Sequence, residues 1–229
     1  MNNHQFQSFQ EAKLEYAKLT PEQKASADTI SRNIWYREKV PPLYIDLDLE
    51  RDWYGDKSAK DEVLKYLREL DIHYGNGIGL HFQGEFGTGK TFLMCHVLKE
   101  AIRSYAPYKE PMFSGYFATF SDLINLYTEG WYSREDRDQF DFLLKRVDFL
   151  AIDDLGKEYK SKSSLNMAAL DSVVRTRIYK KKIIFLTTNR DMEGIENDYG
   201  AGITSLLKQA CIRITVEGED FREKMEQER

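Results

Sequence analysis

The sequence predicts an α/β fold in which a parallel sheet lies between two layers of helices. Three observations predict it. Two continuous apolar runs, Phe149-Leu150-Ala151-Ile152 and Ile183-Ile184-Phe185-Leu186, read as strands buried on both faces, the pattern of parallel strands. Segments of helical periodicity alternate with such strands along the chain. Gly84 to Thr91, G-E-F-G-T-G-K-T, follows an alternating strand (Ile78, Leu80, Phe82), precedes a helix, and fits the P-loop pattern G-x-x-x-x-G-K-S/T without mismatch.

The extension comes first. Residues 1 to about 40 are loosely amphipathic, with Phe6, Phe9, Leu14, Tyr16 and Ala17 among Gln, Glu and Lys. Thr20-Pro21-Glu22-Gln23 reads as a helix start, with Thr20 as N-cap, Pro21 at the first helical position and Gln23 completing a capping box. Pro41-Pro42 then breaks the chain. Residues 1–55 are expected to form a short helical extension and linker, with partner binding as its role, and 56–229 the main domain. The extension is too small for a robust core of its own.

The main domain is expected to open with a helix from Asp56 to Leu70, carrying Val63, Leu64, Leu67 and Leu70, and a turn-rich approach from Asp71 to Gly79. After the P-loop, Thr91 to Ala106 reads as a helix with Leu93, Val97, Ala101 and Tyr105 on one face. Tyr116 to Phe120 follows as a strand, then a short helix capped by Ser121 and ended by Gly130. A further helix runs from Ser133 to Val147. The strand Phe149–Ile152 ends in Asp153-Asp154, a helix spans Ser164 to Tyr179, and the strand Ile183–Leu186 ends in Thr187-Thr188-Asn189. Ile212, Ile214 and Val216 alternate as a last strand, and Glu223 to Arg229 is a polar tail.

Bulk composition bounds the rest. The 229 residues suffice for one α/β domain plus an extension, and 31% charged with 41% hydrophobic residues permits a sizeable core. The net charge of −5 excludes binding to nucleic acid by overall charge, so any such contact needs a local patch. Two isolated cysteines, Cys95 and Cys211, point to a reducing compartment and exclude a Cys-rich zinc site. The four histidines lack ligand spacing, and His96 reads as structural. No apolar run approaches membrane-spanning length and the N-terminus is no signal peptide, so the expected location is cytoplasmic.

Chemistry gathers at the carboxyl ends of the strands, where open α/β sheets bind ligands. Glycines at Gly84, Gly87 and Gly89 allow a tight turn whose N–H groups face a phosphate chain, with the helix N-terminus beneath. Nucleotide contacts are expected from Gly84, Glu85, Phe86, Gly87, Thr88, Gly89, Lys90, Thr91 and Phe92. Lys90 is expected on the β- and γ-phosphates, and Thr91 and Asp153 on Mg²⁺. Asp154 is placed to orient the attacking water, and Asn189 to contact the γ-phosphate or that water. No guanine-reading motif is evident, which favours ATP/ADP. Lys157, Lys160 and Lys162, Lys180 to Lys182, and the aromatic cluster Phe117, Phe120, Tyr127, Trp131 and Tyr132 are candidates for single-stranded DNA, which favours basic grooves with stacking platforms; a solvated lysine rim and core aromatics explain each run as well.

With these residues in place, the chain resembles the DnaC/DnaI helicase loaders and the related IstB transposition ATPases of the AAA+ class. The matching blocks are G-E-F-G-T-G-K-T, F-L-A-I-D-D-L-G, L-T-T-N, and Y-G-A-G-I-T-S-L-L followed by V-E-G-E-D-F-R, over roughly residues 60 to 222. The resemblance implies a three-layer αβα AAA+ ATPase domain, Asn189 as sensor 1, Arg222 as a sensor-2-like arginine, and a DNA-engaging helical element at Ser121 to Val147. It implies a hexameric replicative DNA helicase and single-stranded DNA as partners, and head-to-tail self-association with nucleotide. Two features depart from the family. Leu206 stands where an arginine finger is usual, with Lys208 and Arg213 nearby, so hydrolysis is expected to be weak. There is also no cysteine-rich N-terminal zinc domain, which suits a compact loader of phage or mobile-element origin. The leading expectation is an ATP-dependent helicase loader; the alternatives are an IstB-like transposition helper and a hydrolysis-deficient ATP-binding regulator of a host loader or helicase.

Overall fold

The computed structural model describes residues 9–103, 113–157 and 163–221. The chain starts with α1 (Phe9–Ala17) and α2 (Pro21–Arg37), and the capping box at Thr20 and Gln23 forms as the sequence predicts. Short turns α3 (Pro42–Ile45) and α4 (Leu49–Asp52) lead into α5 (Lys57–Arg68), whose N-cap Asp56 accepts from the amides of Ser58 and Ala59. The next stretch corrects the expected turn-rich approach. Residues Leu70–Asn76 form helix α6, closed by Gly77 at φ 70°. Its Gly75 and Asn76 masked the helix in the sequence, and Gly77 supplies the left-handed C-cap.

Strand β1 (Gly79–Gln83) runs into the P-loop and α7 (Lys90–Ala101). Tyr105 and Ala106, expected in this helix, lie outside the described residues. Strand β2 (Gly115–Thr119) precedes α8 (Phe120–Glu129). Thr119, not Ser121, caps α8, because Asp122 returns a bond to the Thr119 amide and completes a capping box. Ser133 caps α9 (Arg134–Lys145) as expected. Strand β3 (Phe149–Leu155), α10 (Ser163–Tyr179) and β4 (Ile183–Thr188) follow. Helices α11 (Met192–Tyr199) and α12 (Ala201–Ala210), absent from the sequence reading, precede β5 (Cys211–Thr215).

The five strands are parallel, in the order β2-β3-β4-β1-β5. Alternate residues of β3 and β4 feed two cores. Phe149, Ala151, Ile183 and Phe185 pack with α5, α7 and the extension, and Leu150, Ile152, Ile184 and Leu186 pack with α8 to α12. Strand β5 lies at one edge. There Ile214 and Val216 are buried and Ile212 is 40% exposed.

The extension shares the first core. Phe9, Ala12, Ile34 and Trp35 are buried in it with Leu93, Val97 and Leu98 of α7. Trp35 donates its indole N–H to the Lys99 carbonyl, 3.2 Å away. The buried Lys99 ammonium donates to the carbonyls of Tyr44, Ile45 and Leu47. A lysine buried this deeply is costly, and burial pushes its pKa down to about 8. The three carbonyls that satisfy it belong to the segment that walls the site described next.

Candidate functional site

The P-loop spans the gap between β1 and α7. Gly87 and Gly89 sit at φ 73° and 91°. A Cβ on Gly89 would collide with the Trp53 ring and one on Gly87 would displace the Asp220 carboxylate, so Gly89 requires glycine for space and both positions require it for backbone angle. Thr88 is buried and closes the loop by donating to the Glu85 carbonyl at 3.0 Å. Lys90 Nζ donates to the same carbonyl at 2.5 Å. Burial, then the neighbouring Lys157, lowers the Lys90 pKa. Phe86 is exposed at the tip, and Phe92 packs on Trp53 with ring centroids 5.5 Å apart.

The two acids Asp153 and Asp154 converge on this loop through an irregularity in β3. Ile152 pairs with Leu186 of β4 and Leu155 with Thr188, so β3 takes three steps where β4 takes two. The extra residue makes a bulge, and Asp154 adopts φ 62°. In a regular strand adjacent side chains face opposite ways; the bulge lets Asp153 bond within the site while Asp154 lines its cavity. Asp153 Oδ1 accepts from Thr91 Oγ1 at 2.9 Å and from Thr187 Oγ1 at 2.5 Å. Thr187 Oγ1 in turn accepts from the Asp154 amide at 3.0 Å. Burial raises the Asp153 pKa, and Asp154 adds to the rise. Asp154 pairs with Lys157 at 2.5 Å.

A cavity of about 740 Å³ opens over these groups. Gly87, Gly89, Lys90, Thr91, Phe92, Asp154, Lys157 and Asn189 line one side. The Asn189 side-chain oxygen is buried and accepts no hydrogen bond among the described residues. The other side is mainly apolar and comes from Leu43, Tyr44, Leu47, Asp52, Trp53 and Tyr54 of the extension, with Phe221 from the segment after β5. Phe221 packs on Trp53 with centroids 5.7 Å apart, and its amide donates to the Gly87 carbonyl at 3.1 Å. Sequence reading missed this wall, since the residues lie far apart in the chain and form no motif; the Trp53-Tyr54 pair between two helix starts was the one available signal.

The expected residues therefore separate. Gly84, Glu85, Phe86, Gly87, Thr88, Gly89, Lys90, Thr91 and Phe92 form the loop and helix start, and Asp153, Asp154 and Asn189 lie at the ends of β3 and β4 facing it. Arg222, Lys160 and Lys162 lie outside the described residues. Of the candidate DNA aromatics, Phe117 and Phe120 are core, whereas Trp131 and Tyr132 are 54% and 92% exposed at the α8–α9 turn. Lys182 is tied to Asp148 at 2.6 Å, and Lys157 belongs to the cavity. Leu206 packs, partly buried, against the second core.

The strand order, the loop between β1 and α7 and the paired acids at the end of β3 define a P-loop α/β protein. No protein-family model and no curated protein matches the chain. Solved structures do. The crystal structure of DnaI superposes with a TM-score of 0.61 at 20% identity, over 80% of this chain and 94% of that one. The crystal structure of the DnaC helicase loader gives 0.60 at 20% identity, over 77% of this chain and 100% of that one. The replication initiator DnaA bound to AMPPCP and single-stranded DNA gives 0.61 at 19%, over 83% of this chain but 55% of its own length. The chain has a DnaC/DnaI-like AAA+ fold.

Proposed function

We propose that the protein is an ATP-dependent helicase loader that delivers a hexameric replicative DNA helicase onto single-stranded DNA. The observation that carries the nucleotide part is the buried Asn189 oxygen, which has no partner among the described residues, in a cavity shared with the P-loop, two lysines and a largely apolar, aromatic wall. An isolated buried acceptor is costly unless a ligand completes it, and polar groups converging at one end of an apolar cleft suit a phosphorylated aromatic compound. The residues fit Mg²⁺-ATP. The P-loop amides and Lys90 hold the phosphates, Thr91 and Asp153 hold the metal, and the Trp53 and Phe221 rings wall the base. Bound Mg²⁺ supplies charge neutralisation at the phosphates. Asp154 orients the attacking water, and Asn189 and Arg222 sense the terminal phosphate.

Likeness in fold to the DnaI and DnaC loader structures supports the loader role. In this reading the extension binds the helicase, and the exposed Trp131 and Tyr132 are stacking platforms for single-stranded DNA. The nucleotide acts as a switch between two states of different affinity for partner and DNA, and copies associate head to tail when it is bound. Leu206 favours one alternative. A partly buried leucine cannot supply the charge an arginine finger gives, worth ~10³–10⁵ in rate. Slow turnover would make the protein a nucleotide-gated regulator of a helicase or loader instead.

The test is size-exclusion chromatography with light scattering on the protein mixed with its host replicative helicase, with and without ATP and Mg²⁺. A defined nucleotide-dependent complex is expected, and single-stranded DNA loading then separates loader from regulator. No complex in either condition removes the helicase reading; duplex-stimulated ATP turnover would then point to the transposition-helper class. Lys90→Ala is expected to lose nucleotide binding or turnover, and hydrolysis at the parent rate would refute the site.

A further inference from the structure

Lys157 is drawn into the cavity by local backbone geometry. The chain leaves β3 through Asp154 at φ 62° and Gly156 at φ 94°, a turn that brings residue 157 back over the end of its own strand. A side chain at Gly156 would press on Arg190, so the turn is fitted to the segment after β4. The Lys157 ammonium ends 2.5 Å from Asp154 Oδ1 and 5.1 Å from the centre of the Phe86 ring at the P-loop tip. It thus stands between the acid assigned to the attacking water and the loop assigned to the phosphates.

Two features make this position unsettled without a ligand. Lys90 and Lys157 line the same cavity. Among the described residues Lys90 is bonded only to the Glu85 carbonyl and Lys157 to a single carboxylate, so a polyanion entering the cleft meets two ammonium groups. The Lys157–Asp154 pair is also partly exposed on both sides, and ion pairs of that kind are weak and easily exchanged. A phosphate oxygen carries more charge than the shared carboxylate and accepts the same hydrogen bond.

We propose that Lys157 is a triphosphate-sensing residue acting in the same chain: it pairs with Asp154 in the absence of a terminal phosphate and transfers to that phosphate when a nucleoside triphosphate binds. The transfer frees Asp154 to accept from water. The ion pair therefore keeps the water-orienting acid occupied until the substrate arrives, and Lys157 supplies from within the chain a positive charge that Leu206 cannot supply from a neighbour. The inference rests on the nucleotide reading above and adds the discrimination between di- and triphosphate.

Calorimetric titration with ADP and with AMPPCP, each with Mg²⁺, tests it without relying on turnover. Lys157→Met is expected to weaken AMPPCP binding by about 10-fold or more, the worth of one charge-assisted hydrogen bond, and to leave ADP binding within about twofold. Lys157→Arg is expected to retain most of the AMPPCP affinity. Asp154→Asn, which releases the lysine, is expected to tighten AMPPCP binding, and the gain is expected to vanish in the Asp154→Asn/Lys157→Met double variant. Equal losses for both nucleotides, or no loss for either, would overturn the sensing role while leaving the nucleotide site standing. Absence of binding of both nucleotides by the unaltered protein would overturn the nucleotide reading and this inference with it. Thermal melts of each variant, expected to match the parent because the pair is exposed, separate these outcomes from misfolding.

Discussion

Strand β3 has an acid at each end, and the fold treats the two in opposite ways. Asp148, just before the strand, accepts from Tyr74 Oη at 2.8 Å, from the Ser114 amide and hydroxyl at 2.9 Å each, and pairs with Lys182 at 2.6 Å. Beside it the wholly buried Arg177 donates to the carbonyls of Leu143, Asp148 and Ile183. Burial alone would raise the Asp148 pKa; the bonds from Lys182, Ser114 and Tyr74 outweigh it and hold the carboxyl below its ordinary value. Asp153, at the other end, receives two hydroxyl bonds, and burial leaves its pKa raised. A partly buried acid ringed by a cation, an amide and two hydroxyls is complete and serves structure. One held by hydroxyls alone has its geometry fixed and no cation bonded to it among the described residues, which is the condition for receiving one.

The comparison breaks first under substitution of the two acids. Asp148→Ala strands Lys182 and Tyr74 and removes the link between α6, β3 and the turn before β4. We expect a loss of about 3 kcal/mol in urea unfolding, the low end of the scale for removing one member of a buried pair, because this pair is only partly buried. Asp153→Asn is expected to leave the unfolding midpoint unchanged or slightly higher, because a buried charge held by hydroxyls alone is removed. Its Mg²⁺-dependent AMPPCP binding is expected to fall at least 10-fold. If Asp153→Asn proved the more destabilising of the two, the division into a structural and a functional end would be wrong.

A second contrast sharpens it on β1. His81 is buried in the middle of the strand, its Nε2 has no partner among the described residues, and burial, with Arg213 near, pushes its pKa down to about 4. The unfolded chain, with a histidine pKa near 6.5, binds the proton first. Stability from this group is therefore full above about pH 6.5 and is lost as pH falls toward 4, by about 2–3 kcal/mol. Unfolding midpoints followed from pH 7 to 4 are expected to fall less steeply in His81→Leu. Parallel curves for the two proteins would remove His81 as the cause.

What the sequence made legible follows the same division. The loop Gly84–Thr91, the acids after Ile152 and Asn189 after Thr188 were readable because each sits at the junction of a periodic run and a polar break. The apolar wall was not, since Leu43, Trp53 and Phe221 meet only through the packing of the extension on α7 and the return of the chain after β5. Asp148 and Arg177 were invisible for a related reason: their partners are backbone carbonyls and hydroxyls on other elements, which leave no residue pattern. Helices α11 and α12 were overlooked because Gly194, Gly200 and Gly202 break up their apolar pattern; Gly200 joins the two at φ 89°. Lys157 read as part of a lysine run because the bulge that turns it inward depends on the register between β3 and β4, which no local spacing encodes.

That bulge supplies the smallest and most discriminating change. Thr187 Oγ1 accepts from the Asp154 amide and donates to Asp153, so one hydroxyl holds both acids at the angle the bulge sets. Thr187→Val keeps the shape, removes both bonds and leaves a backbone N–H unpaired beside the site. The expected cost is about 1–2 kcal/mol in unfolding, the range for one unsatisfied buried donor. The bond from Thr187 also lowers the Asp153 pKa, so its loss should raise that pKa further and shift the pH dependence of Mg²⁺-AMPPCP affinity upward. A purely structural threonine would give the stability loss with an unchanged pH profile. A threonine that sets the charge of the metal-receiving acid moves the profile, and in that case the functional end of β3 is tuned by its neighbour on β4 as well as shaped by it.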